Sequence, residues 1–169
     1  MPEEETLRVA GVVKESIVDG PGLRYVIFTQ GCPHRCEGCH NAHSWPTEGG
    51  QFRAVDALLA EIRHDSLLTG VTLSGGEPFL QARPLAALAQ RVKALGLTVW
   101  LYTGYRWEEL LAENDPHRLA LLEHTDVLVD GRFDQTRKSY AARFRGSLNQ
   151  RLIHVPQSLA QGRVVLWGD

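Results

Sequence analysis

Apolar segments of two kinds alternate along the chain, and this alternation limits the possible fold more than any other feature. Short runs rich in β-branched and aromatic residues, such as residues 23–29 and 97–102, predict strands. Between them the apolar spacing i, i+3, i+4, i+7 recurs, first over residues 55–62, and predicts helices. Strands that alternate with helices form βαβ units around a mainly parallel sheet, so we expect an α/β protein.

The other elements follow from the same patterns. Strands are predicted at residues 7–13, 71–73 and 126–129, with edge strands at 147–155 and 163–167. A helix is predicted over residues 85–95, with Gly96 at its C-cap. Another helix is predicted over residues 107–122, and it should break near Pro116.

Length and charge favour one globular domain over residues 1–169. The polar, acidic residues 1–6 predict a disordered end, and residues 156–169 are an extension that carries no motif. The formal net charge is −2 and no basic stretch is present, so nucleic acid is not an expected partner. Because no apolar run approaches the roughly 20 residues that span a bilayer, no membrane role is expected. The first residues lack a secretory pattern, so the cytoplasm is the predicted compartment.

A polar or glycine-rich loop follows each of four predicted strands. A cysteine loop follows residues 23–29, the sequence SGGEP at residues 74–78 follows the next strand, and Thr103 and Asp130 follow the last two. The carboxyl ends of parallel strands meet at one edge of a sheet, where such folds place their sites. We therefore expect these loops to form a single site.

The cysteine loop holds every cysteine of the chain: Cys32, Cys36 and Cys39, spaced C-x3-C-x2-C. An odd number of cysteines in one tight group is not a disulfide framework and indicates a metal. Three thiolates can hold three irons of a [4Fe–4S] cluster, whereas electron-transfer clusters ordinarily use four. The fourth iron would then be open to a substrate.

Zinc is the alternative that the cysteines alone leave open. A structural Cys3His site could add His34, His40 or His43 to the three thiolates. Such a site would make the chain a metal-binding scaffold without catalytic activity.

The C-x3-C-x2-C loop, followed by SGGEP after the next strand, resembles the radical S-adenosylmethionine superfamily. The resemblance implies a truncated (β/α) barrel that is open on one side. It also implies that the open iron binds the amino and carboxylate groups of S-adenosylmethionine. Reductive cleavage of that cofactor would give methionine and a 5′-deoxyadenosyl radical.

The same resemblance implies roles for individual residues. The three cysteines would carry the catalytic cluster. Ser74, Gly75, Gly76 and Glu77 would bind the methionyl amino group of the cofactor, and Asn41 would bind its carboxylate. Thr103 and Asp130 would lie near the ribose or carboxylate, and His40 would line the adenine pocket. Asn41 could equally form a turn, Asp130 could cap a helix, and His40 could be a surface residue. The superfamily often has an aromatic residue before the last cysteine, and here it is Gly38.

Residues 16–45, with the elements DGPGLR and GCHN, resemble the activating enzymes of glycyl-radical proteins. Residues 102–105, 127–133 and 145–150 resemble those that act on anaerobic ribonucleoside-triphosphate reductase. The resemblance implies that the radical removes a Cα hydrogen from a glycine of that partner. Asp19, Arg24 and Arg145 are candidates to contact the partner's glycine loop, although turn and surface roles would also explain them.

No cysteine remains to bind a second cluster, so an external one-electron donor, a flavodoxin or a ferredoxin, is expected. Two other enzymatic alternatives stay open at this point. The partner could be another glycyl-radical enzyme such as pyruvate formate-lyase, or the substrate could be a small molecule, as in a deazaguanine synthase.

Overall fold

A computed structural model describes residues 5–39 and 41–168. The strands in this part of the chain are β1 (Thr6–Ser16), β2 (Arg24–Thr29), β3 (Gln51–Ala54), β4 (Gly70–Gly75), β5 (Thr98–Tyr102), β6 (Val127–Asp130) and β7 (Arg151–His154). They form one sheet in the order β3-β1-β2-β4-β5-β6-β7. Its edge strands β3 and β7 do not pair with each other, so the sheet is open.

Only the centre of the sheet is parallel, which corrects the prediction of a mainly parallel sheet. Strands β2, β4, β5 and β6 pair in parallel. The pairs β1–β2, β1–β3 and β6–β7 are antiparallel. A parallel pair needs a crossover of a dozen or more residues, and the connection over residues 17–23 is too short for one.

The helices are α1 (Val55–His64), α2 (Ala82–Ala94), α3 (Trp107–Glu113), α4 (Pro116–Glu123) and α5 (Val155–Gln161). The predicted break near Pro116 is confirmed. Asn114 takes a left-handed conformation after α3, and the Asp115 carboxylate accepts from the backbone of His117 and Arg118 at the start of α4. None of the helices in the described residues combines the length and apolar character that a membrane crossing requires.

Alternation along the central strands gives the sheet two different faces. Leu73, Val99 and Leu101 point to the helical side and pack in the main core with side chains such as Leu58 and Leu85. The other face carries a smaller cluster of Trp100, Val127 and Val129, against which Phe144 and Trp167 pack. Loops rather than helices therefore cover this second face.

The ends of the chain differ from the sequence predictions. Met1–Glu4 lie outside the described residues, and Thr6 already pairs with Ala54 in the sheet. The edge strand expected at 147–155 shortens to β7, and residues 163–167 give a single bridge between Ile153 and Leu166 instead of a strand. Strand β3 and helix α5 were not predicted, since β3 has only four residues and α5 only seven, too few for an apolar pattern to indicate an element.

Candidate functional site

The loops that follow β2, β4, β5 and β6 enclose one cavity of about 180 Å³ at the carboxyl ends of the parallel strands. Its walls include most of the residues that the sequence singled out: Cys32, Cys36, Cys39, Asn41, Ser74, Gly75, Gly76 and Thr103. Convergence at this edge follows from parallel pairing, because register places Thr29 beside Gly75 and Tyr102 beside Val129. His40 lies outside the described residues.

The three cysteines are free thiols on the wall of this cavity, and each is partly exposed. Burial raises the pKa of the Cys32 and Cys36 thiols, so a metal must displace their protons when it binds. Arg35 and Gly38 take positive φ angles of 48° and 76°, which turn the loop between successive cysteines. Three soft sulfur donors and no fourth cysteine suit an iron–sulfur group with one open position.

Within residues 5–39 and 41–168, no three His, Cys, Asp or Glu side chains lie close enough to hold one metal ion. His34 has both ring nitrogens engaged: Nε2 lies 2.7 Å from Glu77 Oε1, and Nδ1 lies 3.1 Å from Arg132 Nε. His34 is therefore occupied by the protein in this structure and is not positioned as a metal ligand.

The SGGEP segment packs directly on the chain that leads into the cysteine loop. Gly76 N donates to Thr29 O at 2.8 Å, and Glu77 N donates to Gly31 O at 2.7 Å. A Cβ atom on Gly76 would lie 2.8 Å from the carbonyl carbon of Gly31, which leaves no room for a side chain. The glycine at this position is thus explained by contact between two loops of the protein itself.

The Glu77 side chain turns inward and is fully buried. Both of its oxygens lie 2.8 Å from Thr103 Oγ1, and Oε1 also accepts from Gly104 N at 2.7 Å. Oε2 accepts from Phe79 N at 3.0 Å, and the His34 contact completes the set. A buried carboxylate is tolerated when donors of this kind surround it, so Glu77 ties β4, β5 and the cysteine loop together.

Asp130 is buried at the end of β6, but its side chain serves the protein rather than the cysteine cavity. Oδ2 accepts from Trp107 N at 2.9 Å, at the first residue of α3, and Oδ1 accepts from Arg151 Nε at 3.0 Å. Arg151 also binds Glu108, and these carboxylates raise its pKa. Asp130 lines a neighbouring cavity of about 420 Å³ with several arginines.

Arg24 lies at the amino end of β2, opposite the cysteine rim, and is 1% exposed. Its guanidinium donates only to neutral oxygens: Thr72 Oγ1, Pro21 O, Thr98 Oγ1, Val71 O and Thr98 O. Burial lowers its pKa to about 10, which still leaves it charged at neutral pH.

The other two candidate contacts for a partner are less enclosed. Asp19 is half-buried, and its carboxylate accepts from Ser16 Oγ at 2.7 Å. Arg145 donates from Nη1 to Gln150 O at 2.7 Å, while its Nε is buried without a hydrogen-bond partner in the described structure. Gly146, which follows Arg145, and Gln150, which accepts this hydrogen bond, line the cysteine cavity.

Several residues on the cavity wall were not among the predicted site residues, namely Trp45, Tyr102, Gly104, Gly131, Phe133, Gly146 and Gln150. Most of them lie in the segments 102–105, 127–133 and 145–150, whose sequence carried the family resemblance. That resemblance was the available signal, because no chemical feature of a lone phenylalanine or glutamine indicates a site.

The three-cysteine cavity at the carboxyl ends of the parallel strands is the kind of site that an iron–sulfur protein has. A family model described as a 4Fe–4S single cluster domain matches residues 18–153. The chain is 39% identical over 146 residues to the anaerobic ribonucleoside-triphosphate reductase-activating protein of Vibrio cholerae, covering 82% of this chain and 91% of that protein. This chain belongs to the family of anaerobic ribonucleoside-triphosphate reductase-activating proteins.

Other members are similar over the same span. The activating protein of Enterobacteria phage T4 is 36% identical over 144 residues, covering 80% of this chain and 86% of that protein. The Escherichia coli K12 protein of the same name is 35% identical over 147 residues, covering 82% and 93%. Among solved structures, QueE from Escherichia coli aligns with a TM-score of 0.46 and 20% identity, over 59% of this chain and 52% of that one.

Proposed function

We propose that this protein uses a [4Fe–4S] cluster and S-adenosylmethionine to place a glycyl radical on an anaerobic ribonucleoside-triphosphate reductase. The observation that carries the proposal is the single cavity that joins three free thiols to the SGGEP loop and to Thr103. The names of the relatives give the partner.

Cys32, Cys36 and Cys39 would hold the cluster, each as a thiolate. The bound cluster would supply the one electron that cleaves S-adenosylmethionine into methionine and a 5′-deoxyadenosyl radical. That radical would take a Cα hydrogen from the partner's glycine and leave as 5′-deoxyadenosine. The protein's own part is to hold the cofactor in one orientation and to keep water and other hydrogen donors away.

The cofactor would lie against the backbone of Ser74, Gly75 and Gly76, where absent or small side chains allow a close approach. Asn41 is on the same wall and has a side-chain amide that can bind a carboxylate. We extend the proposal to Thr103, Asp130, Glu77 and His40 as residues around the cofactor. Because the Glu77 and Asp130 carboxylates are occupied by protein donors, their contribution would be to shape the pocket.

The open sheet corresponds in this proposal to a truncated (β/α) barrel whose open side admits the partner's glycine loop. Asp19 and Arg145 would contact that loop, and Arg24 would act from beneath by holding the DGPG turn. The electron donor would be a flavodoxin or ferredoxin. Free thiols suit a reducing compartment such as the cytoplasm.

The proposal is tested with anaerobically reconstituted protein, dithionite, S-adenosylmethionine and the reductase from the same source. We expect 5′-deoxyadenosine to form, and the electron paramagnetic resonance spectrum to show a glycyl-radical doublet on the reductase. The Cys36→Ala variant should give neither product, because one cluster ligand is missing.

The outcomes separate the parts of the proposal. Cofactor cleavage without the doublet would keep the radical chemistry and reject the reductase as partner. A fully loaded cluster that leaves S-adenosylmethionine intact would reject the radical chemistry itself.

A further inference from the structure

His34 stands between Cys32 and Cys36, and its side chain is 4% exposed. Nε2 lies 2.7 Å from the buried Oε1 of Glu77, and Nδ1 lies 3.1 Å from Arg132 Nε. An arginine Nε–H can only donate, so Nδ1 is the acceptor and the ring proton is on Nε2, facing the carboxylate. Each nitrogen of the ring therefore has a defined partner.

The space around the ring is also shaped for it. A Cβ atom on Gly104 would lie 2.7 Å from His34 Nε2 and would collide with the ring carbons. Tyr105 packs edge-on against the ring, with centroids 4.7 Å apart and planes at 79°. Gly104 and Tyr105, in the turn after β5, thus form a slot that fits the imidazole ring and holds it in one orientation.

The backbone beside His34 needs such support. Arg35 has a φ of 48°, a left-handed conformation that non-glycine residues rarely adopt. A strained residue persists where surrounding contacts fix it, and the ring of His34, the residue before Arg35, is one such contact that is anchored in the fold.

We propose that His34 is a positioning residue for the cluster: the Glu77 carboxylate, fixed by Thr103 and Gly104, holds the His34 ring and so sets the backbone between Cys32 and Cys36. The inference rests on the proposed function in that it requires a cluster on the three thiols. Groups behind metal ligands commonly affect metal affinity by about 10- to 100-fold.

Four variants test this role: His34→Ala, His34→Gln, Gly104→Ala and the control His43→Ala. Glutamine keeps an N–H donor near the position of Nε2, whereas alanine removes it. The Gly104 variant displaces the ring without changing it. His43 is an exposed histidine of the same loop, so its loss controls for general loop effects.

Each variant is reconstituted anaerobically, and iron per chain, the rate of iron release to a chelator and the spectrum of the dithionite-reduced cluster are measured. Circular dichroism of the iron-free protein checks folding. We expect His34→Ala and Gly104→Ala to release iron about tenfold faster and to shift the g values of the reduced cluster. We expect His34→Gln to recover most of the wild-type behaviour and His43→Ala to match wild type.

Several results would overturn the inference. A His34→Ala protein with the wild-type release rate and spectrum would do so directly. Equal defects in His34→Ala and His34→Gln would show that an N–H donor facing Glu77 does not set the position of this loop. An equal defect in His43→Ala would indicate a non-specific loop effect. If wild type binds no [4Fe–4S] cluster, the proposed function fails too; if wild type loads normally, only the positioning role is at stake.

Discussion

Two buried charged side chains lie at opposite ends of the same parallel strands, and their hydrogen-bond partners are of opposite kinds. At the carboxyl ends, Glu77 is an anion whose neighbours are all donors. At the amino ends, Arg24 is a cation whose neighbours are all neutral acceptors. Neither contact set is a simple surface ion pair, and each ties a loop to the ends of β4 and β5.

The difference lies in which loop is held. Glu77 reaches the cysteine loop through His34, so its contacts bear on the cluster site. Arg24 reaches the DGPG turn through Pro21 O, and a Cβ atom on Gly20 would lie 2.9 Å from its Cδ. The same device, a buried charge with complementary polar groups, therefore supports the site at one end and the fold at the other.

The largest effect on folding is expected from Arg24→Met. Methionine fills much of the space but leaves several buried oxygens without donors, at about 1–3 kcal/mol for each group left unsatisfied. Because such losses are not additive, we expect the free energy of unfolding to fall by about 4 kcal/mol in urea titrations of the iron-free protein. Folded Arg24→Met should still load iron as wild type does.

A matching variant sharpens this prediction. Arg24→Lys keeps the charge but cannot reproduce the five-donor fork, so it should lose most of the same stability. If Arg24→Lys were stable yet activated the reductase poorly, Arg24 would serve activation of the partner rather than the stability of the fold, and the distinction drawn from Glu77 would be wrong.

Glu77→Gln should give a smaller loss of stability together with a defect in the site. An amide nitrogen in place of Oε1 would face the donors of His34 and Gly104, and in place of Oε2 it would face Phe79 N–H. We expect a loss of about 2 kcal/mol and faster iron release, unlike Arg24→Met. Wild-type iron release in a destabilised Glu77→Gln protein would remove the distinction between the two anchors.

The sequence was sufficient to predict the central strands, four of the helices and the convergence of their loops. These follow from local apolar periodicity and from the geometry of parallel strands. It did not show which way Glu77 or Arg24 points. The Glu77 partners Thr103 and Gly104 lie 26 and 27 residues away, and the Arg24 partners Thr72 and Thr98 lie 48 and 74 residues away.

The same reasoning explains the misjudged edges. Strand β3 and the antiparallel pairing of β7 depend on neighbours that the sheet supplies, and four-residue segments carry too little pattern to show them. Sequence motifs such as GGEP and DGPGLR indicate that their residues have a role. They do not show whether a residue is buried and holds the fold together or is exposed and contacts a ligand or partner.

Asp130→Asn tests whether the carboxyl-end rim holds a second anchor of the Glu77 type. Asparagine keeps one acceptor for Trp107 N or Arg151, so we expect a loss of about 1–2 kcal/mol. If Asp130 only shapes the pocket, the free energy of unfolding should fall while the KM for S-adenosylmethionine in the cleavage assay stays close to the wild-type value. A large rise in KM with unchanged stability would make Asp130 a direct cofactor contact.

The smallest effect on stability is expected from Asp19→Ala, which removes one half-buried hydrogen bond from Ser16 Oγ. That loss should be at most about 1 kcal/mol. We expect the variant to load iron and cleave S-adenosylmethionine normally, yet to give about tenfold fewer glycyl radicals per cofactor cleaved at limiting reductase, as a lost contact of about 1.4 kcal/mol would.

The control is Asp56→Ala, which removes an exposed aspartate paired with Arg91 on the helical face. It should activate the reductase as wild type does. If Asp19→Ala does the same, Asp19 belongs with Arg24 as part of the anchored turn. If only Asp19→Ala fails to activate the reductase, the turn that Arg24 holds contacts the partner. Arg24 would then support activation indirectly, by holding that turn in place.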